Sequence, residues 1–520
     1  MRITLVSLFS FLICYYSIYI TFQITTIASA KCLEDQQSFL LQLKSSLMFK
    51  PEISNKLKLW NSSVDGCEWI GVACDSKGFV VGLDLSEESI SGGFDNASSL
   101  FSLQHLQKLN LAANNFNSVI PSGFNKLVML SYLNLSYANF VGQIPIEISQ
   151  LTRLVTLDIS SVNSYITGQG LKLEKPNLQK FVQNLTSLRK LYLDGVSIKA
   201  QGQEWRNALL PLPNLQNLSV IILDGNNFSS PVPQTFSNFK KLTTLSLASC
   251  GLTGKFPKTI FQIGTFSFID LSFNYNLHGS IPEFLLGGSL QTLRIRNTSF
   301  SGAFPYSIGN MGHLSELDLS NCELNGTLPF SLSNLTKLRY MDLSSNSFTG
   351  QMPPFGMAKN LTRLNLSHNR LSGEISSSNH FEGLHNLVSV DLRDNFINGS
   401  IPSSLFALTL LLNIQLSLNQ FSKFDKLINV STSVLKTLDL SNNDLSGPFP
   451  MSIFKLHSLS VLDLSFNRLN GSLQLDELME LRDLSTLDLS YNNISVNVNV
   501  SNPNYTSFPI LAHSFWHPAT

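Results

Sequence analysis

The sequence predicts an α/β solenoid, in which stacked coils contribute short strands to one parallel sheet along a concave side. Three observations carry that expectation. In LSELDLSNCELNGTLP (314–329) the apolar residues Leu314, Leu317, Leu319 and Leu324 are spaced by 3, 2 and 5, which suits neither a lone helix nor a lone strand. The pattern returns as LQKLNLAANNF from Leu106, LTTLSLASCGL from Leu242, LTRLNLSHNRL from Leu361 and LSVLDLSFNRL from Leu459. Seventeen units begin at 80, 106, 130, 154, 188, 218, 242, 266, 290, 314, 338, 361, 387, 411, 435, 459 and 484, mostly 24 residues apart, and a fixed period of that size marks a repeat architecture.

The motif L-x-x-L-x-L-x-x-N/C-x-L is that of a leucine-rich repeat. Alternation at its middle leucines makes a short strand, and the later apolar residue returns the chain to the core. One coil cannot bury its apolar side alone, so neighbours stack and the x residues are left to solvent. At roughly 4.8 Å per coil, seventeen coils span on the order of 80 Å. The asparagine position holds Asn114, Asn226, Asn346, Asn369, Asn395, Asn443, Asn467 and Asn492, where a side-chain amide can pair backbone groups that leave the strand. Cys250 and Cys322 occupy the same position. At roughly 14–15 Å apart they lie beyond the ~7 Å reach of a disulfide, so both are expected as free, buried thiols.

Many units end in G-x-Φ-P: GQIP at 142, GKFP at 254, GSIP at 279, GAFP at 302, GTLP at 326, GQMP at 350, GSIP at 399 and GPFP at 447. Glycine allows the turn, and proline is expected to fix an extended φ and to keep a helix from following directly. Two longer steps carry insertions near 163–180 and 197–214, expected off the sheet. Residues 31–79 precede the array, with helical apolar spacing at Leu33, Phe39, Leu40, Leu43 and Leu47, and form the natural cap for the first coil.

Residues 1–30 run from Arg2 through LVSLFSFLICYYSIYI to Ala28-Ser29-Ala30, which reads as a cleaved signal peptide; an uncleaved anchor is the alternative. Either way the chain enters the secretory pathway, and no later run approaches the ~20 apolar residues of a membrane span. N-x-S/T sequons at Asn61, Asn96, Asn134, Asn184, Asn217, Asn227, Asn297, Asn325, Asn334, Asn360, Asn365, Asn398, Asn429, Asn470, Asn493, Asn499 and Asn504 are glycosylation candidates in that compartment. Lys+Arg and Asp+Glu both number 35, so no basic field exists to recruit nucleic acid or anionic lipid.

The LxGxIP ending resembles the plant-specific subclass of leucine-rich repeats. The stretch WNSSVDGCEWIGVAC resembles the N-terminal cap of plant receptor-like kinases and receptor-like proteins, whose signature is W…CCxWxGVxC. SLQHLQKLNLA, LKLEKPNL, KLYLDGVSIKAQGQEW and NHFEGLHNLVSV resemble the Verticillium wilt resistance group of plant receptor-like proteins, a likeness covering residues 31 to about 508. The resemblance implies a cell-surface immune receptor at the plasma membrane that senses an extracellular protein or peptide ligand of pathogen origin and signals through co-receptor or adaptor kinases. Gly66 departs from the cap signature by replacing the first cysteine of its CC pair, leaving Cys32, Cys67 and Cys74. Six residues separate Cys67 from Cys74, a spacing that lets them bridge, with Cys32 expected free. After Ile494 the family would continue into another repeat, whereas 496–520 reads as a divergent tail without capping cysteines. The expectation is a shortened receptor-like protein with no C-terminal cap, an open strand edge, and an apoplastic address if that short chain is the product.

Catalysis finds no motif: G-x-S-x-G, H-E-x-x-H, a phosphate loop and kinase signatures are all missing, and no cofactor or metal is implied. Asp270, Asp318, Asp342, Asp391, Asp439, Asp463 and Asp488 recur at one strand position, about 5 Å apart in neighbouring coils, and are expected as a solvated structural row rather than a glycosidase pair. His513 and His517 in HSFWHP are too few for a metal site. Binding is better supported. Candidate ligand contacts are the arginine and aromatic residues that break the strand pattern, Arg189, Lys190 and Tyr192, then Arg294, Arg296, Arg339 and Tyr340. As solvent-facing residues, Arg294 and Arg296 are expected to tolerate charge reversal at ~0.5 kcal/mol or less. Three function classes stand: an immune receptor ectodomain, a secreted inhibitor of microbial wall-degrading enzymes resembling the shorter polygalacturonase-inhibiting proteins, and a nonfunctional truncated product.

Overall fold

In the computed structural model the described residues are 31–161, 170–198, 204–205, 207, 217–375, 380–426, 432–478, 480–497 and, as backbone, 513–515. The expected signal peptide, the sequons at Asn429, Asn499 and Asn504, and much of both insertions lie outside them. The chain divides into two compact units, Met1–Ile198 and Lys199–Thr520.

The first unit opens with the cap. Helix Glu34–Ser46 buries Gln36, Leu40 and Leu43, and its acidic first turn suits the positive end of the helix dipole. Trp60 and Trp69 stack with ring centroids 5.1 Å apart. Strand Val72–Cys74 runs antiparallel to Val80–Asp84, with Val72 opposite Leu83. Buried Glu88 fastens the cap to the first coil, accepting from Ser54 Oγ at 2.5 Å and from the N–H groups of Lys56 and Leu57 at 3.0 Å. From Val80–Asp84 the strands continue in parallel through Lys108–Asn110, Tyr132–Asn134, Thr156–Asp158 and Lys190–Tyr192, with Leu83, Leu109, Leu133, Leu157 and Leu191 side by side.

The second unit repeats this arrangement. Val220–Ile222, Thr244–Ser246, Phe268–Asp270, Thr292–Arg294, Glu316–Asp318 and Tyr340–Asp342 pair in parallel and in register, and the ladder runs on to Val461–Asp463 and Thr486–Asp488. The central residue of each strand points inward, and Leu293, Leu317, Met341 and Leu364 are fully buried. The seventeenth repeat is not the edge of this sheet. His513–Phe515 pairs parallel to it, with Ser514 opposite Leu487, so the stretch expected to leave that edge open supplies one more strand.

The G-x-Φ-P segments are more than turns. They pair as a second parallel sheet: Thr253–Lys255, Asn276–Gly279, Ser299–Ala303, Glu323–Thr327, Ser347–Gly350, Arg370–Glu374, Phe396–Ile401 and Gln420–Phe424. Gly326 sits at φ +78° where a Cβ would lie 3.3 Å from that of Ala303, so glycine relieves both strain and crowding. Part of the first insertion forms a smaller sheet apart from the main one, with Leu171–Leu173 paired to Gly142–Gln143 and Ser197–Ile198. Proline does not hold off the helix that follows. Pro329 and Pro305 each cap a 3-10 helix that begins at the next residue, Phe330–Asn334 and Tyr306–Asn310. At a helix start the missing N–H has no partner to lose, and the fixed φ is already suitable.

Most of the described coils are closed by one buried amide. Asn443 donates through Nδ2 to the carbonyls of Leu416 in the preceding coil (3.0 Å) and of Leu440 and Ser441 in its own (3.0 and 3.2 Å), while its Oδ1 accepts from Phe421 N–H at 3.0 Å. Asn346, Asn369, Asn395, Asn467 and Asn492 repeat this set, as do Asn274 and Asn419, which stand at the same position of their coils beyond those expected above. Cys250 and Cys322 are free thiols in the same position, with Sγ 3.1 Å from the Leu223 carbonyl and 3.2 Å from that of Ile295. Cysteine has no acceptor to replace Oδ1, and the backbone substitutes: Phe228 N–H donates to the Cys250 carbonyl at 3.0 Å. Ala138 uses the same route for Phe116 N–H at 3.0 Å. Asn443→Ala strands three buried carbonyls and one N–H, so denaturant unfolding should show a loss of roughly 2–4 kcal/mol. Lys436→Ala, at an exposed strand-edge position, should stay within ~0.5 kcal/mol.

Candidate functional site

The exposed face of the sheet carries the residues available for binding. Counting from Leu314, it carries the third, fifth, seventh and eighth positions, Glu316, Asp318, Ser320 and Asn321. The aspartate row is structural, as expected, but only partly solvated: Asp270, Asp318, Asp342 and Asp391 are buried, whereas Asp439, Asp463 and Asp488 are half-buried. Asp318 is 3% exposed and Asp342 8%. Asp318 Oδ1 accepts from Ser320 N–H at 3.2 Å and from Ser320 Oγ at 2.7 Å, and Asp342–Ser344, Asp463–Ser465 and Asp488–Ser490 repeat the pair. D-x-S is thus a local turn device that lets the chain leave the strand. The eighth position is left-handed in coil after coil, with φ near +55° at Asn321, Ser345, His368 and Asn442.

Burial sets the acidity of this row. In the first unit, burial and then the neighbouring Asp194 raise the Asp158 pKa to about 7. Ser160 Oγ lies 2.7 Å from Asp158 Oδ1 and also within hydrogen-bond distance of Asp194 Oδ1, while Tyr137 Oη donates to Asp194 Oδ2 at 2.8 Å. A serine hydroxyl has one hydrogen for two carboxylates, so the second contact is satisfied when a carboxyl keeps its proton. In the second unit burial chiefly raises Asp318 to about 6, with Asp342 adding to it.

The expected arginine patch is likewise tied up. Arg294 forms a bidentate pair with Glu316, Nε–Oε1 2.6 Å and Nη2–Oε2 2.9 Å, and lies 3.5 Å from Asp270 Oδ2, with only 15% of its side chain exposed. Arg296 reaches Asp318 at 3.7 Å and covers the Phe273 ring at 4.5 Å. Tyr340 Oη lies 3.4 Å from Asp342 Oδ2, with Arg363 over its ring. Arg339 stands exposed at the strand edge. In the first unit Arg189 is exposed, and Lys190 and Tyr192 are half-buried on the strand. Arg294 and Arg296 therefore bridge neighbouring coils, and the pairing of Arg294 with Glu316 and Asp270 argues against the expectation that both tolerate charge reversal.

Of the described sequons, Asn134 cannot present a glycan from the folded sheet. It is 3% exposed, and its Oδ1 accepts from Ser136 N–H at 2.9 Å. Asn365 also faces the sheet, donating to Asp342 Oδ2 at 3.0 Å. Asn61, Asn96, Asn184, Asn217, Asn227, Asn325, Asn334, Asn360, Asn470 and Asn493 are exposed, and Asn297 and Asn398 half-buried. In the cap, Cys67 and Cys74 are bridged with Cα atoms 5.6 Å apart, and Cys32 is free, with burial, then Asp65, pushing its thiol to about 11. A Cβ on Gly66 would lie 3.2 Å from Cys32 Sγ, which places the family's missing cysteine directly beside Cys32. His513 contributes backbone to the last strand, and His517 lies outside the described residues.

Family profiles match the chain at residues 33–75 (Leucine rich repeat N-terminal domain), at 288–348 and 433–494 (Leucine rich repeat), and at 105–127, 241–263, 360–381 and 386–408 (Leucine Rich Repeat). Receptor-like protein 6 of Arabidopsis thaliana is 36% identical over 262 residues, 50% of this chain and 23% of that protein. Receptor-like protein Cf-9 of Solanum pimpinellifolium is 32% identical over 302 residues, 54% of this chain and 31% of that protein. The chain is a leucine-rich repeat protein related to the plant receptor-like proteins. It matches less than a third of those relatives' own length. Among solved structures, the ectodomain of the Arabidopsis receptor kinase HAESA with an N-terminally extended IDA peptide hormone is 26% identical, covers 89% of this chain and 82% of its own, and superposes with a TM-score of 0.68. HAESA with IDA and the co-receptor SERK1 gives 25% identity, 90% and 99% coverage, and 0.65. Among the described residues no helix is long and apolar enough to cross a membrane.

Arg294→Glu sets a third carboxylate between Asp270 and Glu316 and should cost roughly 2–4 kcal/mol in denaturant unfolding, whereas Arg339→Glu should change stability by less than ~0.5 kcal/mol. The raised pKa of Asp158 has a definite sign. The folded state holds that proton more tightly than the unfolded chain does. Its stabilisation is complete below the unfolded value of about 3.9 and is lost as pH rises through about 7. Melting should therefore come at a higher temperature at pH 5 than at pH 8, and Asp158→Asn should flatten that difference.

Proposed function

We propose that the chain is the extracellular ligand-binding part of a plant cell-surface immune receptor-like protein, of the kind found in the Verticillium wilt resistance group. In this reading it recognises a pathogen-derived protein or peptide and signals through partner kinases. The observation that carries the reading is the exposed sheet face of the second unit, a register-true ladder of strands with variable side chains. Its likeness to ectodomains solved with a peptide hormone, and in one case with a co-receptor, supports an extended ligand and a kinase partner. Exposed Arg189 and Arg339, with Lys190, Tyr192 and Tyr340 beside them, are ligand contacts in this reading; Arg294 and Arg296 shape the surface from beneath. The exposed sequons carry glycans on a protein that passes through the secretory pathway to the plasma membrane.

The test is binding by the chain secreted from plant cells, offered fractions of pathogen culture fluid. Saturable binding that falls at least tenfold in Arg339→Glu or Arg189→Glu, with unfolding unchanged, is expected. Binding that leaves both variants unaffected and inhibits a wall-degrading enzyme in the same fluid would overturn the receptor reading in favour of an inhibitor.

A further inference from the structure

The last two described coils set two aromatic rings side by side on the sheet face. At the left-handed eighth position the units from 459 and 484 place Phe466 (φ +54°) and Tyr491 (φ +55°). Phe273 holds the same position in the unit from 266, and there Arg296 of the next coil already covers the ring at 4.5 Å. The rings of Phe466 and Tyr491 stack at 4.0 Å between centroids with 15° between planes, yet 48% of Phe466 and 54% of Tyr491 remain exposed. Two coils earlier Leu418 takes the same position, 49% exposed. A left-handed backbone is unfavourable for bulky side chains, and the stack, though favourable in itself, leaves about half of each ring open to a ligand.

Beside these side chains runs a stretch of the aspartate row with no arginine set into it among the described residues. Asp439, Asp463 and Asp488 occupy three successive strands, about 4.8 Å apart. Their Oδ1 atoms accept from Ser441, Ser465 and Ser490, and Ser417 Oγ reaches Asp439 Oδ2 at 2.8 Å. The hydrogen bonds described for Asp463 and Asp488 all end on Oδ1, and among the described residues no ion pair reaches any of the three. Burial raises the Asp463 pKa, and Asp439 and Asp488 add to it, so the row is short of positive charge. The coils around Arg294 meet the same need internally.

We propose that the Phe466–Tyr491 stack and the adjoining Asp463–Asp488 carboxylates form a docking surface for an extended peptide bearing arginine. A guanidinium is flat, always charged and weakly hydrated, so it can lie on an aromatic face while donating to carboxylate oxygens beside it. Lysine offers a point charge without the plane and binds less well there. Leu418 packs against an apolar residue further along the peptide. The inference rests on the binding reading above and narrows it to a ligand chemistry and a set of coils.

The test uses calorimetry on the secreted chain with a capped hexapeptide holding two arginines among alanines, alongside its two-lysine and two-glutamate counterparts. The arginine peptide should bind best and the glutamate peptide not at all. Phe466→Ala and Asp463→Asn should each weaken the arginine peptide by about tenfold while the melting temperature holds. No binding of the arginine peptide, equal binding of the glutamate peptide, or affinity unmoved by both substitutions would overturn the proposal. Its failure is separable from that of the receptor reading. A culture-fluid ligand that binds with unchanged affinity to the Phe466→Ala, Asp463→Asn double variant overturns this docking surface and leaves the receptor reading standing.

Discussion

A buried primary amide, repeated in most of the described coils, holds this solenoid together. A chain that leaves a short strand and turns through a left-handed residue carries carbonyls and an N–H that neither sheet can pair. The asparagine side chain answers both needs at once, because it has two donor hydrogens and an acceptor on one short stem. It reaches carbonyls in its own coil and the one before, so it also sets how neighbouring coils stack. With that bond in place the leucines can pack as a continuous core, and without it each coil would bury unpaired backbone at a cost of ~1–3 kcal/mol per group.

That constraint governs which surface is free to evolve a ligand. The fifth and seventh positions are occupied by D-x-S pairs that complete the strand exit, so a row that looks like exposed acid is mostly committed to the backbone. Arginines set into the row, such as Arg294, are drawn into it by the aspartate one coil back and the glutamate one coil on. What remains most available is the strand-edge residues and the left-handed eighth position, with the half-buried third-position side chains and the carboxylate oxygens the turns leave unused beside them. Specificity in this protein lies in what those positions hold.

The coil period, the parallel sheet, the cap and the Cys67–Cys74 pairing were legible in the sequence, because each is encoded by spacing within one or two coils. Burial of Asp318 and Arg294 was not, since it arises from residues about 24 positions away whose alignment depends on register. The second sheet was missed for a related reason: G-x-Φ-P reads locally as a turn, and only stacking turns it into a strand. The substitutes for asparagine were half legible. A cysteine thiol was foreseeable as a donor, but Ala138 shows that the carbonyl of the same residue can take the preceding coil's N–H, a route no side-chain pattern announces. The strand at His513–Phe515 carries no leucine motif at all, and its pairing is visible only in the backbone.

Native-state hydrogen exchange tests the central claim most directly. The amides of Leu324, Phe348, Leu371, Ile397, Phe421 and Leu445 donate to asparagine Oδ1 atoms of the following coil at 2.9–3.1 Å. If the amide ladder closes the coils, these positions exchange as slowly as the strand amides of Leu319 and Leu343, and they open together with them. Exchange at the rate of the exposed turns, with the strands still protected, would show that the leucine core alone holds the solenoid and that the asparagines are ornament to it.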